Sequence, residues 1–280
     1  MKNYALFNPK AGSNKGEILA KELKNFFAED TLEFVDLITL EDKKAFLENT
    51  TEQDQVIICG GDGTLNNFVN DTQGLDIKAK ILYYACGSGN DFYKEVGTED
   101  KAPVEISKYV QNLPTVTVKG KDYKFINGVG YGIDGYCCEV GDNMRSKNIE
   151  KINYTSIAIK GLLFHYKPCD ATVIVDGEEH RFKKVWLAPV MHGKYYGGGM
   201  IPTPEQKRED DTISLLVFHG SGKLKTLMIF PSIFKGEHVK KKKHVTTFAG
   251  KTITVKFDSP RPLQIDGETI LEVSEYTATR

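Results

Sequence analysis

Gly60-Gly61-Asp62-Gly63-Thr64 places three glycines and one carboxylate in five consecutive positions, directly after the apolar run Val56, Ile57, Ile58 and Cys59. Such a run is short, β-branched and uncharged, as an inner parallel strand would be. Glycines let a backbone turn sharply and approach a ligand closely, and Leu65, Phe68 and Val69 follow at helical spacing. Strand, glycine turn and helix form an anion site in which peptide N–H groups and the positive end of the helix dipole face a phosphate. A carboxylate beside a phosphate is repulsive unless a cation or a proton donor lies between them, and Mg²⁺ bound to a nucleotide is the obvious cation beside Asp62. The alternative is a tight turn in which Asp62 only caps the helix.

Further turns repeat the arrangement. Tyr4 to Phe7 reads as a strand running into Asn8-Pro9-Lys10-Ala11-Gly12-Ser13, and Ile18, Leu19, Leu23, Phe26 and Phe27 then mark a helical face. Leu32 to Ile38 reads as a strand with Thr39 at its carboxyl end, where open α/β sheets bind ligands, and Ala45, Phe46 and Leu47 mark the next helix. Ile81 to Ala85 opens into Cys86-Gly87-Ser88-Gly89-Asn90-Asp91-Phe92. Near the carboxyl end, Gln264-Ile265-Asp266-Gly267-Glu268 is a strand end followed by a tight turn with two carboxylates. Asp-Gly-Glu is common as a plain β-turn and alone decides nothing.

These turns need two kinds of scaffold. Strands alternate with helical patterns up to about Leu113, which predicts a doubly wound α/β domain. After Pro114 the texture changes to Val116 and Val118, then Tyr123, Phe125 and Ile126, with a charged helical stretch from Gly141 to Lys151. From Ala171 short β-rich runs recur at Thr172–Val175, Val185–Val190, Ile213–Phe218, Val245–Phe248, Thr252–Phe257 and Leu263–Ile265, interrupted by one helix, Leu224–Phe234. That pattern predicts an antiparallel sandwich. The expected division is residues 1–122 and 123–280, with the carboxyl-terminal tail available to complete the first domain.

A length of 280 residues fits two domains, and 40% hydrophobic with 27% charged residues fits an ordinary globular protein. A net charge of −1, from 37 basic against 38 acidic residues, gives no global field that would recruit nucleic acid. Five cysteines without C-x-x-C spacing suggest reduced thiols in a cytosol. Met1 to Phe7 is too short an apolar run for a signal peptide, and no stretch approaches the ~20 apolar residues of a spanning helix, so a cytoplasmic protein is expected. Lys240-Lys241-Lys242-Lys243 reads as a solvated loop or as a contact with anionic lipid at the inner membrane face. Gly130-Tyr131-Gly132-Ile133-Asp134-Gly135 is formally G-x-G-x-x-G. It lies past the end of the βαβ pattern, and Glu150 as the ribose acid has no strand before it, so a Rossmann oxidoreductase is the weakest reading.

Gly60 to Thr64 resembles the G-G-D-G-T signature shared by diacylglycerol-kinase-like lipid kinases, NAD kinases and, more distantly, phosphofructokinases. Asn8 to Gly12 resembles the lipid kinases' N-P-x-A/S-G, and Gly87, Asn90, Asp91 and Phe92 match their P-x-G-T-x-N-D-[FL], with Ala85 and Ser88 replacing Pro and Thr. Phe125 to Gly132 resembles the opening of their second domain. Gly193-Lys194-Tyr195-Tyr196-Gly197-Gly198-Gly199-Met200 resembles their N-G-x-x-Y-G-G-G, with His192 in place of Asn. Asn66 also matches, but Asn67 stands where a Glu usually follows.

The resemblance implies an NAD kinase/phosphofructokinase-like α/β domain with a β-sandwich, and an ATP-dependent lipid kinase acting in the interdomain cleft on diacylglycerol or a related lipid. It implies nucleotide contacts at Asn8, Pro9, Lys10, Ala11, Gly12, Thr39, Gly60, Gly61, Asp62, Gly63, Thr64, Leu65, Asn66, Ser88, Asn90 and Asp91. It also implies Mg²⁺ near Asp62 and proton abstraction from the acceptor by Glu268, with Asp266 beside it. The family holds a structural Mg²⁺ around Asp210-Asp211, which makes Asp211 the candidate ligand. Thr212 and Ser214 replace the family's Gly and Asp there and Arg208 is close, so weak or no binding is expected. ATP, a lipid acceptor, a peripheral membrane contact and a homodimer are the expected partners. An NAD-kinase-like enzyme and a non-catalytic nucleotide-binding regulator are the alternatives.

Overall fold

The computed structural model describes residues 1–87, 89–147, 149 and 152–280, and the chain divides into two units, Met1–Leu113 and Pro114–Arg280. In the first unit, β1 (Asn3–Phe7), β2 (Leu32–Asp36), β3 (Gln55–Gly60), β4 (Lys80–Ala85) and β5 (Val104–Glu105) form one sheet in the order β2-β1-β3-β4-β5. All neighbours are parallel except the edge pair of β4 and β5. The uncharged run of β3 occupies the centre, and Val56, Ile57, Ile58 and Cys59 are fully buried, as parallel strands covered on both faces must be.

Two boundaries differ from the sequence reading for local reasons. β2 stops at Asp36 because its Oδ1 accepts from the Ile38 backbone at 2.8 Å, turning the chain before Thr39. The helical face expected from Ile18 to Phe27 is interrupted. α1 (Ala11–Asn14) and α2 (Gly16–Ala20) give way to a 3₁₀ turn over Lys21–Asn25, so the apolar stripe rotates, burying Leu23 and leaving Ile18 exposed. The next helix, α3 (Lys43–Glu48), begins where Asp42 accepts from the Ala45 backbone. α4 (Asp62–Asp71), α5 (Asp91–Val96) and α6 (Ser107–Val110) complete the unit.

The second unit is an antiparallel, sandwich-like β structure. Its strands are β6 (Thr115–Val118), β7 (Lys121–Lys124), β8 (Gly128–Tyr131), β9 (Cys169–Val175), β10 (Glu178–Val185), β11 (Val190–Met191), β12 (Ile213–Phe218), β13 (Val245–Gly250), β14 (Thr252–Ile265) and β15 (Glu268–Thr279). The main path runs β13-β12-β11-β8-β14-β15-β6-β7, with β9 and β10 branching from β14. The two runs expected at 252–257 and 263–265 are one strand. Its first half pairs with β9 and its last residues with β8. Between them lie Pro260 and Pro262, which cannot donate to a ladder, and the register with β15 shifts there. One strand thereby serves two layers.

β6 pairs with Tyr276–Thr279, so residues 115–124 and the carboxyl-terminal tail both lie in the second unit, whereas the sequence reading had drawn the boundary at 122. β10 and β15 gave weak signals because charged residues occupy their exposed positions.

The charged helix expected at 141–151 begins earlier, as α7 (Ile133–Ser146), directly after β8. The G-x-G-x-x-G segment is therefore a strand-to-helix turn, but β8 lies between two antiparallel neighbours, which excludes a parallel βαβ unit. Its glycines serve packing: a Cβ on Gly135 would meet the Pro262 carbonyl at 2.0 Å, and one on Gly132 (φ +115°) the Trp186 carbonyl at 2.5 Å. Glu150 lies outside the described residues. α8 (Tyr154–Lys160), a π turn over Gly161–His165 and α9 (Lys223–Ile229) pack with α7 around Trp186. α9 covers part of the helix expected at 224–234, and Phe230–Lys235 continue it as 3₁₀. All five cysteines are free thiols, and among the described residues no helix is long and apolar enough to cross a membrane.

Candidate active site

In the first unit the glycine turns converge at the carboxyl ends of β1, β3 and β4. The Cys86 backbone donates to the Gly60 carbonyl at 2.8 Å, and the Tyr83 hydroxyl reaches the same oxygen at 3.1 Å. A Cβ on Gly87 would lie 2.5 Å from the Gly61 Cα, and one on Gly12 (φ +58°) 2.9 Å from the Cys86 carbonyl. Backbone thus touches backbone at both places, which is why these positions need glycine. Asn90, itself at φ +50°, fixes the third turn by accepting from the Gly87 N–H at 3.0 Å and donating to the Gly87 carbonyl at 2.7 Å.

Asp62 caps a helix, but not its own. Its carboxylate accepts from the Asp91 and Phe92 backbones, both at 2.9 Å, so it holds the start of α5 and locks the second glycine turn to the third. At α4 the N-cap is Gly61, which carries no side chain to cap the first turn, leaving that end suited to an anion. Asp91 is buried and pairs with Lys94 at 2.8 Å.

Beside these turns is a cavity of about 140 Å³ lined by Asn8, Leu37, Ile38, Lys43, Thr64, Asn67 and Phe68. Asn67, the departure from the family pattern, faces it. Thr39 is an exposed neighbour of Ile38 in the turn that follows β2. Pro9 and Ala11 are half-buried and Lys10 is exposed in the first turn. Two predicted contacts sit elsewhere: the Leu65 side chain is fully buried in the core, and Asn66 is buried with its carbonyl and side-chain oxygens accepting from Asn70. Ser88 lies outside the described residues.

In the second unit the motifs meet at residues 126–128. Asp266 and Gly267 both have positive φ and form the two-residue turn between β14 and β15. The Asp266 carboxylate accepts from the Ile126, Asn127 and Gly128 backbones at 2.5, 2.8 and 2.9 Å. His192 and Gly193 donate to the Asn127 carbonyl at 2.9 and 3.0 Å. The buried Arg208 guanidinium donates to the Ile126 carbonyl and, at 2.6 Å, to Asn127 Oδ1. Burial, with the positive charges of Arg208 and Arg280, pushes His192 down to about 3, so it is neutral at physiological pH. Glu268, two residues beyond Asp266, is exposed. Its hairpin is held by Gln264, which accepts from the Gly267 backbone at 2.7 Å, and by Thr269, which donates to Asp142 on α7 at 2.6 Å.

Sequence reasoning passed over Asp134, on the first turn of α7. Burial pushes its carboxyl up to about 7. Tyr196 and Gln264 flank it, yet neither closes a hydrogen bond of normal geometry to the buried Oδ2. Its signal was present in the sequence as the one acid within the glycine-rich 130–135 segment.

The residues do not fit a structural Mg²⁺. Asp211 is exposed, Asp210 accepts from the Lys207 backbone, and Arg280 donates to the Asp210 carbonyl. The Arg280 guanidinium thus occupies the Asp210 carbonyl, an oxygen a cation could otherwise use, and among the described residues no three His, Cys, Asp or Glu side chains are grouped to hold a metal.

With this geometry in place the comparisons decide the family. Residues 2–119 match the diacylglycerol kinase catalytic domain, and residues 127–278, more than half the chain, match the YegS C-terminal NAD kinase beta sandwich-like domain. The chain belongs to the diacylglycerol-kinase-like lipid kinase family. It is 28% identical to the diacylglycerol kinase of Mycobacterium tuberculosis, in strains CDC 1551 and H37Rv alike, over 211 residues that cover 72% of this chain and 67% of that protein. The crystal structure of a diacylglycerol kinase from Bacillus anthracis str. Sterne superposes with a TM-score of 0.63 at 18% identity, covering 100% of this chain and 94% of that one, which shows the shared fold. Membership of this family makes the protein a kinase of the lipid branch.

Proposed function

We propose that the protein transfers the γ-phosphoryl group of ATP to the hydroxyl of diacylglycerol or a related lipid. The observation that carries this reading is the Asp62 carboxylate on the α5 start, which binds two phosphate-type turns into one rigid cradle. ATP phosphates lie along Asn8 to Gly12 and Gly60 to Thr64, on backbone N–H groups at the α4 start, and Asn90 and Asp91 shape the third turn. The adenosine end occupies the cavity lined by Leu37, Ile38 and Phe68. Mg²⁺ brought with the nucleotide would neutralise phosphate charge, and Asp62 would lie nearest it, with both carboxylate oxygens also accepting a backbone N–H.

In the second unit the two carboxylates divide their roles. Asp266 holds three backbone N–H groups and is committed to positioning. Glu268, exposed on the hairpin that Asp266 fixes, takes the proton of the attacking alcohol. Phosphoryl transfer asks for positioning and charge neutralisation more than covalent chemistry, so glycine turns, a nucleotide-borne cation and one base suffice. ATP as donor places the reaction in the cytoplasm, with a lipid acceptor at the inner membrane face. Incubation with γ-labelled ATP and diacylglycerol, a panel of other lipids, NAD and water tests the reading. Label in a lipid phosphate is expected. Label only in NADP would assign the enzyme to the NAD kinase branch, and nucleotide binding without transfer would make the protein a regulator.

A further inference from the structure

α8, the π turn after it and α9 bury their inner faces in one core, through Ile157, Ala158, Leu162 and Ile229. Their outer faces should then be polar, and they are not. Phe164 is 71% exposed, Leu224 76% and Met228 75%, with Ile159 at 44%. Leu224 and Met228 are four residues apart on α9 and so share one face. The two segments are neighbours, since Lys223 Nζ donates to the Leu163 carbonyl at 2.7 Å. Other exposed large apolar residues, such as Met1, Ile18 and Leu271, are scattered singly along the chain. Contiguous exposed apolar side chains mark an interaction surface.

Charge identifies the occupant. Residues 152–168 and 219–236 contain Lys160, Lys167, Lys223, Lys225 and Lys235 and no Asp or Glu, in a chain with 38 acidic residues against 37 basic ones. A second copy of this chain docking through the same patch would set lysine against lysine. Apolar tips on segments whose exposed charges include lysines and no acids match an anionic bilayer, where the tips enter the acyl boundary and the ammonium groups meet lipid phosphates.

We infer that this surface docks the protein on anionic phospholipid membranes. The inference rests on the surface itself. It extends the lipid-kinase reading only by giving the enzyme a hold on the bilayer that contains its acceptor. It differs from the expectation placed on Lys240–Lys243, a run in a hydrogen-bonded turn with no large apolar side chain exposed within it.

The test is sedimentation of the full chain, without ATP, with vesicles of phosphatidylcholine alone or mixed with phosphatidylglycerol. Binding to the anionic vesicles is expected to exceed binding to the neutral ones at least tenfold. The triple variant Phe164→Ser, Leu224→Ser, Met228→Ser should lose at least tenfold of it, and Lys160→Gln and Lys225→Gln about fivefold each. All these positions are exposed, so the thermal midpoint should stay unchanged. Absent vesicle binding, or unchanged binding by the variants, would overturn the inference. So would loss of binding only on neutralising Lys240–Lys243, or a dimer that the triple variant converts to monomer while vesicle binding persists. Turnover on a short-chain diacylglycerol dissolved as monomers separates the two readings: the docking variants should match the parent protein, and no turnover by any of them would count against the kinase reading while leaving the vesicle result standing.

Discussion

The two units use an aspartate in the same way and a neighbouring group in different ways. Asp62 accepts from two backbone N–H groups and Asp266 from three, and each ties together motifs distant in sequence. In the first unit the groups so positioned are backbone, at Gly61 and Gly87, where a side chain has no room. In the second the positioned group is a side chain, Glu268, at an exposed position. An aspartate inside a motif is therefore not evidence that it does chemistry. On the proposed reading, phosphate is held by close-packed backbone in the first unit and the acceptor is activated by an exposed side chain in the second.

The comparison breaks most visibly at Asp266. Asp266→Ala strands three backbone donors, and with each charge-assisted bond contributing about 1.5–3 kcal/mol the loss should reach about 5 kcal/mol or more, comparable to the whole stability of a domain. Denaturant unfolding measures it, and a loss under about 1 kcal/mol would show the tie to be incidental. Asp62→Ala removes two such bonds, so about 3 to 5 kcal/mol of stability should go together with ATP-dependent turnover. A variant that kept full stability and lost only turnover would return Asp62 to a purely metal-positioning role.

Asp134 sharpens the comparison, because it is buried with the Gly135 backbone donating to one carboxylate oxygen at 2.9 Å and no hydrogen bond closed on the other, Oδ2. Its folded pKa of about 7 lies above the unfolded value of ~3.9. The folded state therefore binds the extra proton between those values, and stability falls as pH rises through that window and levels off above it. From pH 5 to pH 8 the loss should be about 2 to 3 kcal/mol. Asp134→Asn should flatten that dependence, and an unchanged pH profile in the variant would remove Asp134 as its source. The smallest effect concerns metal. With the Asp210 carbonyl taken by Arg280 and its carboxylate by the Lys207 backbone, adding Mg²⁺ or a chelator without ATP should leave the thermal midpoint unmoved. A rise on adding Mg²⁺ would reveal a structural ion.

Much of this was legible before the structure. The apolar run at 56–59 and the glycine turns gave the parallel sheet and the edge at which those turns converge, because local chemistry fixes both. What escaped depended on partners far along the chain. Nothing near Asp266 announces residues 126–128, and nothing near Asp62 announces the α5 start. Leu65 was read both on the helical face and beside the nucleotide, and its side chain lies in the core as the periodicity requires. β15 was missed since only one of its faces is apolar, and Asp134 because its burial is set by α7 packing on β8 and β14.

The central claim is that Glu268 is the base and Asp266 its positioning residue. Turnover, ATP affinity and unfolding should be measured side by side for Glu268→Gln and Asp266→Asn. Glu268→Gln should lower the rate by roughly 10² to 10⁴ while stability stays within about 0.5 kcal/mol and ATP affinity holds, and Asp266→Asn should lose stability along with rate. Full activity in Glu268→Gln, or a stable Asp266→Asn variant with the larger rate loss, would contradict the account.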